Sequence, residues 1–139
     1  QTIKNKFVIV ADTYYQALGV RLANQIQENA KLEAFCVVLP EANHNVIESY
    51  YEAWPSNYIF LNSGVNARTN LRFHFVRELI KKYKSVAVDI TVTDGSLLSL
   101  IETAYLVDWV SLQIADIAGG VSNQIPNIID LKKFLSEKK

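Results

Sequence analysis

The chain has 139 residues, the usual size of one domain, with half of them apolar and a fifth charged; this composition fits a globular protein with an ordinary hydrophobic core and excludes disordered and fibrous classes. Lys plus Arg and Asp plus Glu balance at 14 each, which removes the electrostatic footprint of a general nucleic-acid or anionic-membrane binder and points to a small partner. The single cysteine, Cys36, excludes an intrachain disulfide, and with no secretory signal pattern the expected compartment is a reducing cytoplasm.

In chain order, Phe7-Val8-Ile9-Val10-Ala11 is a continuous apolar run that predicts a strand buried on both faces. Residues 14–30 carry Leu18, Leu22 and Ile26 on one stripe and predict an amphipathic helix. A second strand is expected over residues 34–39, where the Cys36 thiol serves as a small buried apolar group. Asn43 offers an N-cap for a helix reaching about Trp54, where Pro55 disfavours continuation. Tyr58-Ile59-Phe60-Leu61 reads as a third strand, and Asn62-Ser63-Gly64 breaks the chain. Residues 68–84 then predict a surface helix with Leu71, Phe75, Leu79 and Ile80 inward and Arg72, Arg77, Lys81 and Lys82 largely elsewhere.

A fourth strand is expected over residues 86–92. Residues 96–118 predict a helix with apolar residues on more than one stripe, buried on several sides against a second lobe or subunit. Glu102, Asp108, Gln113 and Asp116 interrupt it and argue against a membrane span. Gly119-Gly120 ends this helix, Ser122-Asn123-Gln124 forms a turn, and Ile125, Ile128, Leu131 and Leu135 mark a last amphipathic helix before the charged tail 136–139. Strands alternating with helices predict an α/β fold, a three-layer αβα sandwich around a mainly parallel sheet.

The sequence holds no phosphate-binding glycine loop, metal-ligand spacing or nucleophile elbow. His44, His74 and Glu41 lack a recognisable ligand spacing, so no metal is expected. Two polar clusters interrupt the apolar segments at element ends, where α/β folds place function: Glu28-Asn29-Ala30-Lys31 and Pro40-Glu41-Ala42-Asn43-His44-Asn45. By residue type alone these are ordinary. A glutamate near a helix end is usually solvated, a histidine beside a cap usually packs or caps, and Lys132 beside Lys133 complements a helix dipole.

Arg21, Gln25 and Glu28-Asn29-Ala30-Lys31, then Pro40-Glu41 with Asn43-His44-Asn45, Gly95-Ser96-Leu97-Leu98, Tyr105-Leu106-Val107-Asp108-Trp109, and finally Gly120-Val121, Ile128 and Leu131-Lys132 occur in an order that resembles the bifunctional phosphoglucose/phosphomannose isomerases of archaea and some bacteria. The likeness is to their C-terminal sugar-isomerase (SIS) lobe, and it covers nearly the whole chain, the segment 68–84 least. The resemblance implies a flavodoxin-type SIS domain over residues 1–139, the C-terminal half of a two-lobed, homodimeric isomerase. A first residue that is Gln, with no Met anywhere, fits a piece of something longer.

The implied reaction is glucose 6-phosphate to fructose 6-phosphate, with mannose 6-phosphate a second hexose phosphate substrate, and no cofactor. Glu28 would be the base that moves a proton between C1 and C2, near the carboxyl edge of the sheet. His44 would help open the sugar ring in the partner subunit's site, and Lys132 would contact the ring region. These residue types suit an enediolate intermediate, which needs a carboxylate to carry the proton and donors to stabilise the oxygens. The family's Ser/Thr-rich phosphate loop and site arginine belong to an N-terminal SIS lobe outside this chain, and Ser63, Ser96 and Ser99 do not rebuild them. Where the family often reads Asp-Pro-Thr-Pro the chain reads Ser122-Asn123-Gln124-Ile125, so the threonine's place at the substrate falls to Asn123 or Gln124. The alternatives are a non-catalytic phosphosugar-binding or regulatory module, since fold does not fix function, and a dimerisation domain built on residues 96–118.

Overall fold

The computed structural model describes residues 6–50, 56–83, 85–91 and 94–138. Four strands, β1 (Lys6–Asp12), β2 (Glu33–Leu39), β3 (Asn57–Asn62) and β4 (Val86–Thr91), form one parallel sheet in the order β2-β1-β3-β4. Ile9 is the centre of the register, paired with Cys36 on one side and Ile59 on the other. Parallel neighbours need long crossovers, and these are supplied by α1 (Gln16–Gln25), which continues into a π turn (Ile26–Ala30), and by α2 (Ala67–Lys82). The chain closes with α3 (Leu97–Ala118) and α4 (Pro126–Ser136).

Both faces of the central strands are covered, which is why they read as unbroken apolar runs. Phe7, Ile9, Ala11, Ile59 and Leu61 pack with Leu18, Leu22 and Ile26 of α1 and its π turn and with Val107 and Ile114 of α3. Val8, Val10, Tyr58 and Phe60 pack on the opposite side with Phe73, Val76 and Ile80 of α2. The expected α/β fold of three layers is therefore present. Cys36 is half-buried, and that burial pushes its thiol up to about 11, which leaves it a packing group rather than a nucleophile.

Two expected details are corrected. No helix begins at Asn43; the described part of that segment holds only two 3₁₀ turns, Glu41–Asn43 and Val46–Tyr50, and residues 51–54 lie outside the described residues. Polar side chains compete with helix formation there: Asn45 Oδ1 accepts from the Val46 amide at 2.5 Å, and Arg72 donates to Asn43 Oδ1 at 3.3 Å. On α2 the buried stripe is Phe73, Val76 and Ile80, whereas Leu71 and Phe75 are exposed. Phe73 sets that rotation by packing edge-on against Phe60, with Arg77 stacked over both rings.

The two faces of α3 differ in character. Its inward stripe is narrow and largely small or polar, namely Ser99, Thr103, Val107, Ser111, Ile114 and Ala115. Its large apolar residues face out, with Leu97 71%, Tyr105 66% and Trp109 51% exposed. By length and composition alone α3 passes as a membrane span. Its inner stripe nevertheless seats on α1 and the sheet, and its Asp108 is ion-paired. Within this chain α3 is covered on one side, and α4 has no buried residue among the described ones.

At the carboxyl edge, where β1 and β3 part to feed connections on opposite sides, α/β sheets usually open a ligand crevice. Here the protein's own groups bridge the ends of β1 and β3, and an open cleft of about 570 Å³ lies beside them at the end of β2, lined among others by Thr13, Glu41 and Asn45. The buried Asp12 carboxylate accepts from the Tyr15 and Ser63 amides, each at 2.9 Å, and from the Ser63 hydroxyl. Beside it Tyr14 donates to the Gly95 carbonyl at 2.5 Å. Removing the acceptor would strand buried donors, so Asp12→Ala is expected to lower stability by about 2–3 kcal/mol, seen as a lower urea midpoint at unchanged slope. An unchanged midpoint would contradict this role.

Candidate functional site

The Glu28 region is built from a helix end that does not stop in the ordinary way. After Gln25 the helix widens into the π turn, and Lys31 closes it at φ 58°. That left-handed conformation is unusual for a residue with a Cβ, so surrounding structure must hold it.

The holding groups lie on α3 and just beyond it. Arg21, Gln25 and Asn29 recur every four residues and share one face of the helix. Arg21 makes a two-pronged ion pair with Asp108, both bonds 2.8 Å. The Arg21 hydrogen bonds hold the Asp108 carboxyl below its usual range, and Gln25 adds to this, while Asp108 raises the Arg21 guanidinium. Asn29 donates to the Ser111 hydroxyl at 2.9 Å, which in turn donates to the Asp108 carbonyl at 2.7 Å.

α3 then ends at Gly119 in the left-handed conformation, φ 71°. A Cβ on Gly120 would lie 3.0 Å from the Asn29 carbonyl oxygen and 3.2 Å from Ala30 Cα. Only glycine lets the chain pass this close to the π turn. The Lys31 ammonium completes the joint, donating to the Glu28 carbonyl and, at 2.5 Å, to the Gln124 carbonyl.

Between the π turn and the segment after α3 lies a cleft of about 610 Å³, lined among others by Gln27, Glu28, Lys31, Gly120, Gln124 and Ile128. This volume falls within the roughly 300–1,000 Å³ common for small-molecule sites. A carboxylate, amides, an ammonium and backbone carbonyls there suit a polyhydroxylated ligand. Among the described residues no three His, Cys, Asp or Glu side chains converge as a metal site would require.

Of the residues singled out from sequence, Glu28 and Gln124 share this cleft, and Asn123 is exposed on the same turn without lining it. Lys132 is exposed on α4 and does not line the cleft. The expected place of Glu28 is corrected. α1 runs back from the carboxyl end of β1, so the π turn immediately preceding β2 sits at the amino edge of the sheet, not the carboxyl edge. His44 follows β2 and is exposed on the 3₁₀ turn at the carboxyl edge. Between the two lies β2, seven residues, or roughly 20 Å at about 3.3 Å per residue. Sequence reasoning missed the roles of Asp108, Ser111, Gly120 and Lys31. The four-residue spacing of Arg21, Gln25 and Asn29 was the available signal for the first two.

The family model described as the bacterial phospho-glucose isomerase C-terminal SIS domain matches residues 1–135. No curated protein matches the chain. Among solved structures, a glucose-6-phosphate isomerase-like protein from Thermus thermophilus aligns with a TM-score of 0.60 at 13% identity, over 84% of this chain and 40% of that one. At that identity the likeness is one of fold, and this chain spans well under half of that relative's length.

The Asp108 shift sets a pH test. A carboxyl whose folded value lies below its unfolded one stabilises above the unfolded value and loses that contribution as pH falls through the folded one. Wild type should exceed Asp108→Asn in urea midpoint near pH 7, and the difference should shrink below about pH 4. A gap that stays constant down to pH ~2.5 would show that the carboxylate charge is not what Arg21 uses.

Proposed function

We propose that this chain, which belongs to the bacterial phosphoglucose isomerase C-terminal SIS domain family, is one SIS domain over residues 1–139 and the C-terminal half of a two-lobed aldose-ketose isomerase. Its reaction is glucose 6-phosphate to fructose 6-phosphate, with mannose 6-phosphate as the second candidate substrate. The observation that carries this reading is the cleft that Glu28 shares with Gln124 on the Gly120 side of the seam.

In this reading Glu28 takes the C2 proton of the open-chain aldose, forming an enediolate, and returns it to C1. Gln124 contacts the sugar from the cleft wall, and Asn123, on the same turn, and Lys132, on the helix that follows, act on the parts of the substrate that extend beyond the cleft. His44 opens the ring in the neighbouring subunit of a homodimer. Two features support the trans arrangement: His44 is exposed, and it stands at the opposite edge of the sheet from Glu28. The apolar outer face of α3 supports a partner lobe that supplies the phosphate loop, because patches of that kind mark interfaces. Carboxylate, imidazole and ammonium meet the proton-transfer and charge requirements of the reaction without a metal or organic cofactor.

In the full-length protein, Glu28→Gln should lower kcat by about 10²–10⁴-fold and abolish exchange of the C2 proton with solvent. Mixing it with His44→Ala should restore partial activity after subunit exchange, because each hybrid dimer keeps one intact site. Verified hybrids as inactive as both parents would remove the trans role of His44. Wild type and Glu28→Gln equally inert while both bind sugar phosphate would instead favour a non-catalytic binding module.

A further inference from the structure

Lys31 is exposed, but its ammonium is turned back onto the protein. Its ammonium is held between two backbone carbonyls that only the fold brings together: that of Glu28, three residues back, and that of Gln124, in the turn after α3. Charge-assisted hydrogen bonds of this kind are about twice as strong as neutral ones. The two carbonyls belong to the two walls of the cleft, one to the residue read as the base and the other to the turn that carries Asn123 and Gln124. Lys31 also carries the left-handed backbone that turns the chain from the π turn into β2.

We infer that Lys31 is a positioning residue, a cationic clamp that fixes the spacing between the Glu28 turn and the 122–125 turn. This rests on the reading of Glu28 as the base. The two walls differ in stiffness: the Glu28 turn is seated on α3 through the buried Ile26 and Ala30 and the Asn29–Ser111 hydrogen bond, whereas residues 121–124 are exposed with one internal turn bond, Gln124 N to the Val121 carbonyl at 3.1 Å. Gly120 brings the two walls together at one point, and Lys31 ties them at a second, which together remove rocking about the first. Because proton transfer falls steeply with small displacements of the base, releasing the clamp should slow turnover more than it weakens binding.

The test compares three variants in the full-length protein. Lys31→Met removes the ammonium while keeping the length of the side chain. Lys31→Asn also removes it but tolerates the left-handed backbone, which guards against a simple failure to fold. Lys31→Arg keeps a cation that can span both carbonyls. The expected result is a fall in kcat of about tenfold or more for the first two, with KM changed less than about threefold. The arginine variant should recover most of the loss, and amide hydrogen exchange over residues 120–125 should quicken in Met and Asn but not in Arg. If Glu28→Gln is inactive while folded Lys31→Met and Lys31→Asn turn over like wild type, the clamp is overturned and the base assignment stands. If Glu28→Gln itself is fully active, the base assignment fails and the clamp's catalytic role falls with it.

Discussion

α1 and α3 lie side by side on one face of the sheet, and apolar burial alone does not explain their contact. The surface that α3 turns inward includes Ser99, Thr103 and Ser111, and unpaired hydroxyls there would each carry a desolvation cost. Each has a partner instead. Thr103 donates to the Ser99 carbonyl at 2.7 Å, Ser99 meets the Tyr15 hydroxyl at 3.4 Å, and Ser111 joins Asn29 to Asp108. With Arg21 and Gly120 added, the seam has one register along its length. A slip of α3 by one residue would unmake the ion pair, and in the direction that brings Val121 to the place of Gly120 it would press a side chain against the π turn. The ion pair is half-exposed and adds little stability by itself; its two-pronged geometry fixes direction. Everything at the cleft follows from that register, because Glu28 lies one residue from Asn29.

The same seam accounts for the inverted character of α3. Small and hydroxyl side chains let α1 approach closely, so the large residues Leu97, Ile101, Tyr105 and Trp109 have no room inside and stand outward. Tyr105 and Trp109 pack edge-on, 6.1 Å between centroids, as a ready-made aromatic pair on the outer surface. α3 therefore turns its hydroxyls toward its own domain and carries a continuous apolar surface on its outer side, which no described residue covers.

The sheet and its layers are legible in the sequence because strands buried on both faces are written as uninterrupted apolar runs. Helix faces are less legible. On α2 two stripes are available in the letters, Leu71-Phe75-Leu79 and Phe73-Val76-Ile80, and the choice depends on Phe60, which is distant in sequence. The helix expected from Asn43 fails because the cap rule assumes that a helix follows, whereas Asn43 and Asn45 engage Arg72 and the local backbone. The site is legible only as ordered motifs. The spacing of Arg21, Gln25 and Asn29 predicts a helix face but not what it faces. Gly120 and Lys31 draw their roles from a contact between the end of one helix and the end of another, and no local pattern encodes such a contact.

The sheet's two edges show why that contact matters. In a parallel sheet the strand ends that open at the switch point are the natural ligand site, and here Asp12 and Ser63 tie the ends of β1 and β3 together with hydrogen bonds of their own. The cleft beside Glu28 lies at the amino edge, where helices end and backbone geometry can be unusual. There a π turn, a left-handed lysine and a glycine contact replace the loop that the fold would ordinarily use. The length of β2 separates Glu28 at one edge of the sheet from His44 at the other. If both residues serve one small substrate, they can do so only across a boundary between chains.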